Sequence, residues 1–134
     1  MQAEPTPRRL VELTSDECWE LAASVPVGRL AWTGPKGPTV IPVNFSVDGR
    51  TVRVRTTAYS EAGRESDDSP VAFEVDTIDA HEHTGWSVLM RGHAHLEYAA
   101  QADEHAPHPW LAGPRTLSLR VEVSEITGRR LQSD

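Results

Sequence analysis

The sequence predicts a mainly-β domain: a small antiparallel barrel of six strands with short flanking helices. Three observations carry this. Apolar residues alternate with polar ones in short runs from Gly28 to Val123, the period of a half-buried strand. The breaks between runs carry Gly, Pro and Asp, whose backbone preferences favour turns. Helical spacing with a recognisable start occurs near the N-terminus and not between successive strands, so crossover helices are not expected. A sheet of this size leaves two unpaired edges unless it closes on itself, which favours a barrel.

Residues 1–9 are rich in proline and charge and lack periodicity, predicting a flexible N-terminal arm or an edge segment; residues 10–131 then form the single barrel domain. Thr14 and Glu17 form a capping-box pattern, in which each side chain satisfies a backbone N–H that the first helical turn leaves open. Cys18, Leu21, Ala22 and Val25 follow at helical spacing, predicting a short amphipathic helix that Pro26 ends. Three strands are expected next, Gly28–Thr33, Thr39–Val47 and Thr51–Thr57, joined by Gly34-Pro35-Lys36-Gly37-Pro38 and by Asp48-Gly49. In the third, Val52, Val54 and Thr56 point one way and Arg53 and Arg55 the other.

Ala58–Ser69 is polar and acidic, suited to a helical turn or a loop. Pro70–Asp76 reads as the fourth strand, Thr77–Thr84 as a loop and Gly85–Tyr98 as a long fifth strand kinked at Gly92 by a bulge or a sharp barrel bend. Residues 99–115 carry prolines that forbid regular structure around Trp110. Thr116–Val123 is the sixth strand, and Glu125–Leu131 extends or follows it.

Composition narrows the function classes. The 134 residues hold one core's worth of chain, and 38 % hydrophobic residues argue against disorder. A net charge of −7 disfavours nonspecific nucleic-acid binding. No run is long and apolar enough for a membrane-spanning helix, so a cytoplasmic protein without membrane partners is expected. Cys18 is the single cysteine, which excludes an internal disulfide and any multi-cysteine metal site. Lys36 is the single lysine and sits in a turn, which argues against a Schiff base with pyridoxal phosphate. Neither a phosphate-binding glycine loop nor a nucleophile elbow is present, so hydrolase chemistry is not expected.

The candidate site residues are basic, hydroxylated or aromatic. Arg53, Arg55, Thr56, Thr57 and Ser60 cluster at the end of the third strand, where guanidinium and hydroxyl groups suit a phosphate; the alternative is an arginine-rich outer barrel face. Trp32, Trp86 and Trp110 serve a core, an interface or a planar ligand. His93, His95 and Glu97 share one strand face as metal-ligand types, yet no other strand histidine completes the set, and no metal is expected. No side chain is assigned as a catalytic acid or base.

The pieces ECWELAASVPVGRLAWTGPKGPTVIPVNFSVDGRTVRVRTT, SPVAFEVD and TGWSVLMRGHAHL, in this order and spacing, resemble the small members of the pyridoxamine 5′-phosphate oxidase-like family of FMN-binding split barrels. The resemblance implies a homodimer with flavin mononucleotide (FMN), or a related deazaflavin such as F420, at the subunit interface, acting on a small-molecule redox substrate. It places Ile41, Pro42, Val43 and Asn44 along the isoalloxazine, Arg55, Thr56, Thr57 and Ser60 at the phosphate, and Trp86 and Ser87 at the flavin's polar edge. Trp110 is then contributed by the other subunit or a covering loop. One position departs: Tyr59-Ser60-Glu61 stands where many similar members have Gly-Ser-Lys, and a carboxylate facing a phosphate is repulsive. Arg64 is the nearby cation that could compensate. A non-catalytic barrel with weakened or lost flavin affinity is the alternative; because the longer C-terminal substrate-binding segment of the true oxidase is not recognised after Arg130, pyridoxamine phosphate oxidation is not expected.

Overall fold

In the computed structural model, residues 7–56, 60–98 and 117–133 are described. The elements are β1 (Arg8–Glu12), α1 (Ser15–Ala23), β2 (Val27–Gly34), β3 (Gly37–Asp48), β4 (Thr51–Thr56), α2 (Glu61–Ser66), β5 (Ser69–Asp79), β6 (Thr84–Tyr98) and β7 (Leu117–Ser133). The sheet runs β1-β7-β4-β3-β2-β5-β6, and a further β6–β7 pairing closes it. All the pairings are antiparallel.

The closed ring therefore has the six expected strands, and β1 is a seventh laid against the end of β7, where Arg8 faces Ser133 and Glu12 faces Arg129. The arm expected over 1–9 thus enters a strand at Arg8. No alternation announces β1 because backbone pairing holds it: Leu10 is 59 % exposed. The loop expected over Thr77–Thr84 is also shorter. Thr77–Asp79 continue β5 against Gly85 and Trp86 of β6, leaving a tight reversal after Asp79.

The alternating residues do what their spacing implies. Leu30, Phe45, Val52, Val54, Phe73, Val75, Val88, Met90, Leu119 and Val121 fill the barrel. Phe73 is fully buried, and its ring stands edge-on to Phe45 with centroids 4.9 Å apart. Gly28 is a close-approach glycine, since a Cβ there would sit 2.5 Å from the Phe73 ring. The irregularity expected at Gly92 is present but its extra residue lies in the partner strand: Arg91 faces Glu125 and Gly92 faces Val123, so Ser124 of β7 is the bulged residue.

Helix α1 plugs one end with Cys18 and Ala22, both fully buried. Its capping box is complete, and those hydrogen bonds hold Glu17 below the usual carboxylate range. Cys18 Sγ packs against Gly128, and burial raises its thiol pKa, the state of an inert structural cysteine. Among the described residues, no helix is long and apolar enough to cross a membrane.

Candidate functional site: a cleft where the barrel splits

Strand β3 changes partner along its length. Gly37–Asn44 pair with β2, whereas Phe45–Asp48 pair with β4. Asn44 and Phe45 mark the switch, where Phe45 N–H donates to Pro26 O over 3.2 Å. Beyond it β4 continues against β7 alone, with Arg55 facing Ser118 and Thr56 facing Leu117. The two strands diverge and the wall opens. A cleft of about 260 Å³ results, with Ile41, Pro42, Val43 and Asn44 on one lip and Val54, Arg55 and Thr56 on the other. Trp32 and Leu119 line it from the core side, and Ser60, Glu61 and Ala62 close its end at the start of α2.

Six of the residues singled out by sequence, Pro42, Val43, Asn44, Arg55, Thr56 and Ser60, thus come together. Thr57 and Trp110 lie outside the described residues. Thr56 is 5 % exposed, and its Oγ1 lies 2.6 Å from Ser60 Oγ. Ser60 Oγ also accepts the Gly63 N–H at 3.0 Å, so this serine caps α2 as well as lining the cleft. The formal charges on the lining are the Arg55 guanidinium and the Glu61 carboxylate, which oppose one another.

Arg53 is not part of the cleft. It shares the outward face of β4 with Arg55 but lies where β3 and β4 are still paired, and its Nη1 donates to Glu97 Oε1 at 3.1 Å. Arg120 also approaches Glu97, at 3.6 Å. This is the arginine-rich outer face that the sequence left as an alternative. Arg64 points back along its own helix, its Nε donating to Ser60 O at 3.4 Å, and does not line the cleft.

Trp32 was one of three candidate tryptophans, and its role turns on a residue that sequence spacing did not single out. Its Nε1–H donates to Glu65 Oε1 at 2.9 Å, which orients the indole beneath the cleft. Gly34 leaves room for the same contact: a Cβ there would meet the Glu65 carboxylate, which would have to swing away from the indole.

Trp86 and Ser87 sit elsewhere in the fold, lining a separate groove at one end of β5 and β6 with Glu74, Asp76, Ile78 and Arg129; Ser87 faces outward, whereas Trp86 shares the face of Val88 and packs against the core. Arg29 Nη1 bridges Glu74 and Asp76 there, at 3.1 and 3.0 Å. Desolvation, reinforced by the hydrogen bond and negative charge of Asp76, pushes Glu74 up to about 7. The folded state therefore holds a proton that the unfolded chain releases near 4.5, and this contribution to stability declines as pH rises from about 4.5 to about 7. Thermal melts over that range are expected to show wild type losing stability relative to Glu74→Gln; parallel curves would show that Glu74 titrates normally.

A barrel opened along one seam, with a cleft at the opening, is the architecture of a split-barrel protein. The comparisons with known proteins agree. Residues 14–130 match the family described as pyridoxamine 5′-phosphate oxidase, and the chain belongs to that family. It is 38 % identical over 136 aligned positions to the uncharacterized protein Rv0080 of Mycobacterium tuberculosis, covering 95 % of this chain and 89 % of that one. Among solved structures, the FAD-binding protein of Mycobacterium smegmatis superposes with a TM-score of 0.72 at 31 % identity, covering 91 % of this chain and 98 % of the other. A conserved protein of unknown function from Corynebacterium diphtheriae gives 0.74 at 29 %, covering 96 % and 99 %.

Proposed function

We propose that the cleft binds a flavin nucleotide and that the protein is a flavin-dependent oxidoreductase acting on a small-molecule redox substrate. The observation that carries this is the convergence of the Ile41–Asn44 strand with Arg55, Thr56 and Ser60 on one opening. Arg55 supplies a fixed cation for a phosphate, the two hydroxyls stand beside it, and the largely apolar strand offers a surface for a flat ring system. The M. smegmatis neighbour is described as binding FAD, which supports a flavin. FMN, FAD and a deazaflavin all present the phosphate and the fused rings this arrangement suits.

A bound flavin supplies the electron-accepting chemistry. The chain's contribution is to bind, orient and exclude water: Trp32, held by Glu65, fixes the depth of the cleft, and the Phe45 switch point fixes its width. A cleft of about 260 Å³ is small for a dinucleotide or even a mononucleotide, so part of the ligand extends beyond it. A second copy of the chain covering that part is the homodimer reading, and it is the arrangement in which Trp86 and Ser87 of the partner could reach the flavin.

The second reading, a non-catalytic split barrel, is favoured by Glu61, whose carboxylate shares the cleft with Arg55. One experiment separates the two. The visible spectrum of the purified chain, with mass identification of what denaturation releases, is expected to show a flavin near one per chain, or stoichiometric uptake when flavin is added. A colourless protein that takes up neither flavin nor deazaflavin overturns the oxidoreductase reading.

A further inference from the structure

We propose that Asp68, His93 and His95 form a site for a borderline divalent cation of the zinc class, outside the flavin cleft and independent of it. The ligand atoms of these three residues all lie within 4.8 Å of one another. His93 and His95 alternate on the outward face of β6, with ring centroids 4.8 Å apart, and Asp68 Oδ1 lies 2.9 Å from His93 Nε2. Metal–ligand bonds of about 2.1 Å in a tetrahedral set place ligand atoms roughly 3.4 Å apart, so modest side-chain rotation suffices to enclose an ion. Two part-buried imidazoles and one exposed carboxylate leave a coordination position for water or a small ligand.

The third ligand is built by the turn from α2 into β5. Asp67 Oδ1 accepts the Leu96 N–H of β6 at 2.8 Å, and Ser69 Oγ donates to Asp67 O at 3.1 Å, anchoring both sides of Asp68. Asp68 itself takes a left-handed backbone at φ +53°, and Ser69 and Pro70 then pair with Ala94 and His93. The turn therefore delivers a carboxylate to the histidine row at a fixed register. Glu97, next along that row, is spent on Arg53 and Arg120, and Glu122 opposite His93 pairs with Arg120 at 3.3 Å. The set is thus Asp68 with the two histidines rather than His93, His95 and Glu97.

The test is calorimetric titration of the untagged full chain, stripped by chelator dialysis, with zinc chloride. One ion per chain is expected, with affinity at least about tenfold weaker in His95→Ala and in Asp68→Ala. A variant carrying alanine at His81, His83, His105 and His108 keeps the affinity. Zinc is also expected to shift the ring resonances of His93 and His95 in wild type, a readout that requires no substitution. No saturable uptake, unchanged affinity in a folded His95→Ala chain, or loss of binding with the other four histidines overturns the proposal.

Discussion

Glu61→Lys tightens FMN binding by roughly tenfold, about 1–2 kcal/mol. Glu61 opens α2 and lines the cleft with Ser60 and Arg55, so its carboxylate shares the space in which a phosphate would sit beside Arg55. The residue is exposed, and water and salt screen its charge. A reversal of sign still changes the local charge by two, which at a water-like effective dielectric near 80 and about 5–8 Å separation is worth about 1–2 kcal/mol. Riboflavin is the control, because it carries the same rings without the phosphate. The variant is expected to tighten FMN and leave riboflavin nearly unchanged, and the gain is expected to shrink in high salt. Equal effects on both ligands would place Glu61 against the rings and move the phosphate away from Arg55. No effect on either would remove Glu61 as the reason for weak affinity.

Substituting this one residue also decides how the departure from the family pattern is to be read. If Glu61 turns away from a bound phosphate, the lysine adds attraction without relieving repulsion, and the gain falls to the low end of the range. If the carboxylate faces the anion, wild-type affinity is poor and the full gain appears. The non-catalytic reading predicts the second case, together with a wild-type protein that is colourless as purified.

The strands were legible because their residues carry the pattern themselves. Val52, Val54, Arg53 and Arg55 declare an inside and an outside without reference to any partner, and the Thr14–Glu17 cap declares where a helix starts. The cleft was legible only as a group of residue types. What makes it a cleft is the change of partner at Asn44 and Phe45, a matter of non-local register that no local pattern encodes. The same limit explains Arg53 and Arg55, identical in type and facing, which separate because one lies before the split and the other beyond it. Asp68 was invisible for a further reason: it enters the His93 and His95 neighbourhood from a turn, with Asp67 and Ser69 holding it there. β1 carries no signal because its pairing uses main-chain groups that every sequence possesses.

Phe73→Ala is expected to cost about 3–5 kcal/mol of folding stability, since Phe73 is the largest fully buried side chain among the described residues. The ring is fully buried, meets Phe45 edge-on and presses on Gly28, so its removal leaves a cavity bounded by three strands. A domain of this size has a total stability of about 5–15 kcal/mol, and the loss corresponds to a fall in melting temperature on the order of 10–20 °C. The packing also predicts a coupling. Gly28→Ala alone forces a Cβ to within 2.5 Å of the Phe73 ring and is destabilising; with Phe73 reduced to alanine the two ring contacts go and Val75 Cγ1, at 2.9 Å, is the crowding atom left, free to turn into the space the ring vacates. The double variant is therefore expected to lose less than the sum of the two single losses, an interaction of about 0.5–3 kcal/mol measurable by denaturant titration. Strict additivity would mean that the backbone at Gly28, rather than the ring against it, sets the cost. Because Phe45 sits where β3 leaves β2 for β4, loosening its partner also loosens the lip of the cleft, and flavin affinity is expected to weaken even at temperatures where the variant remains folded.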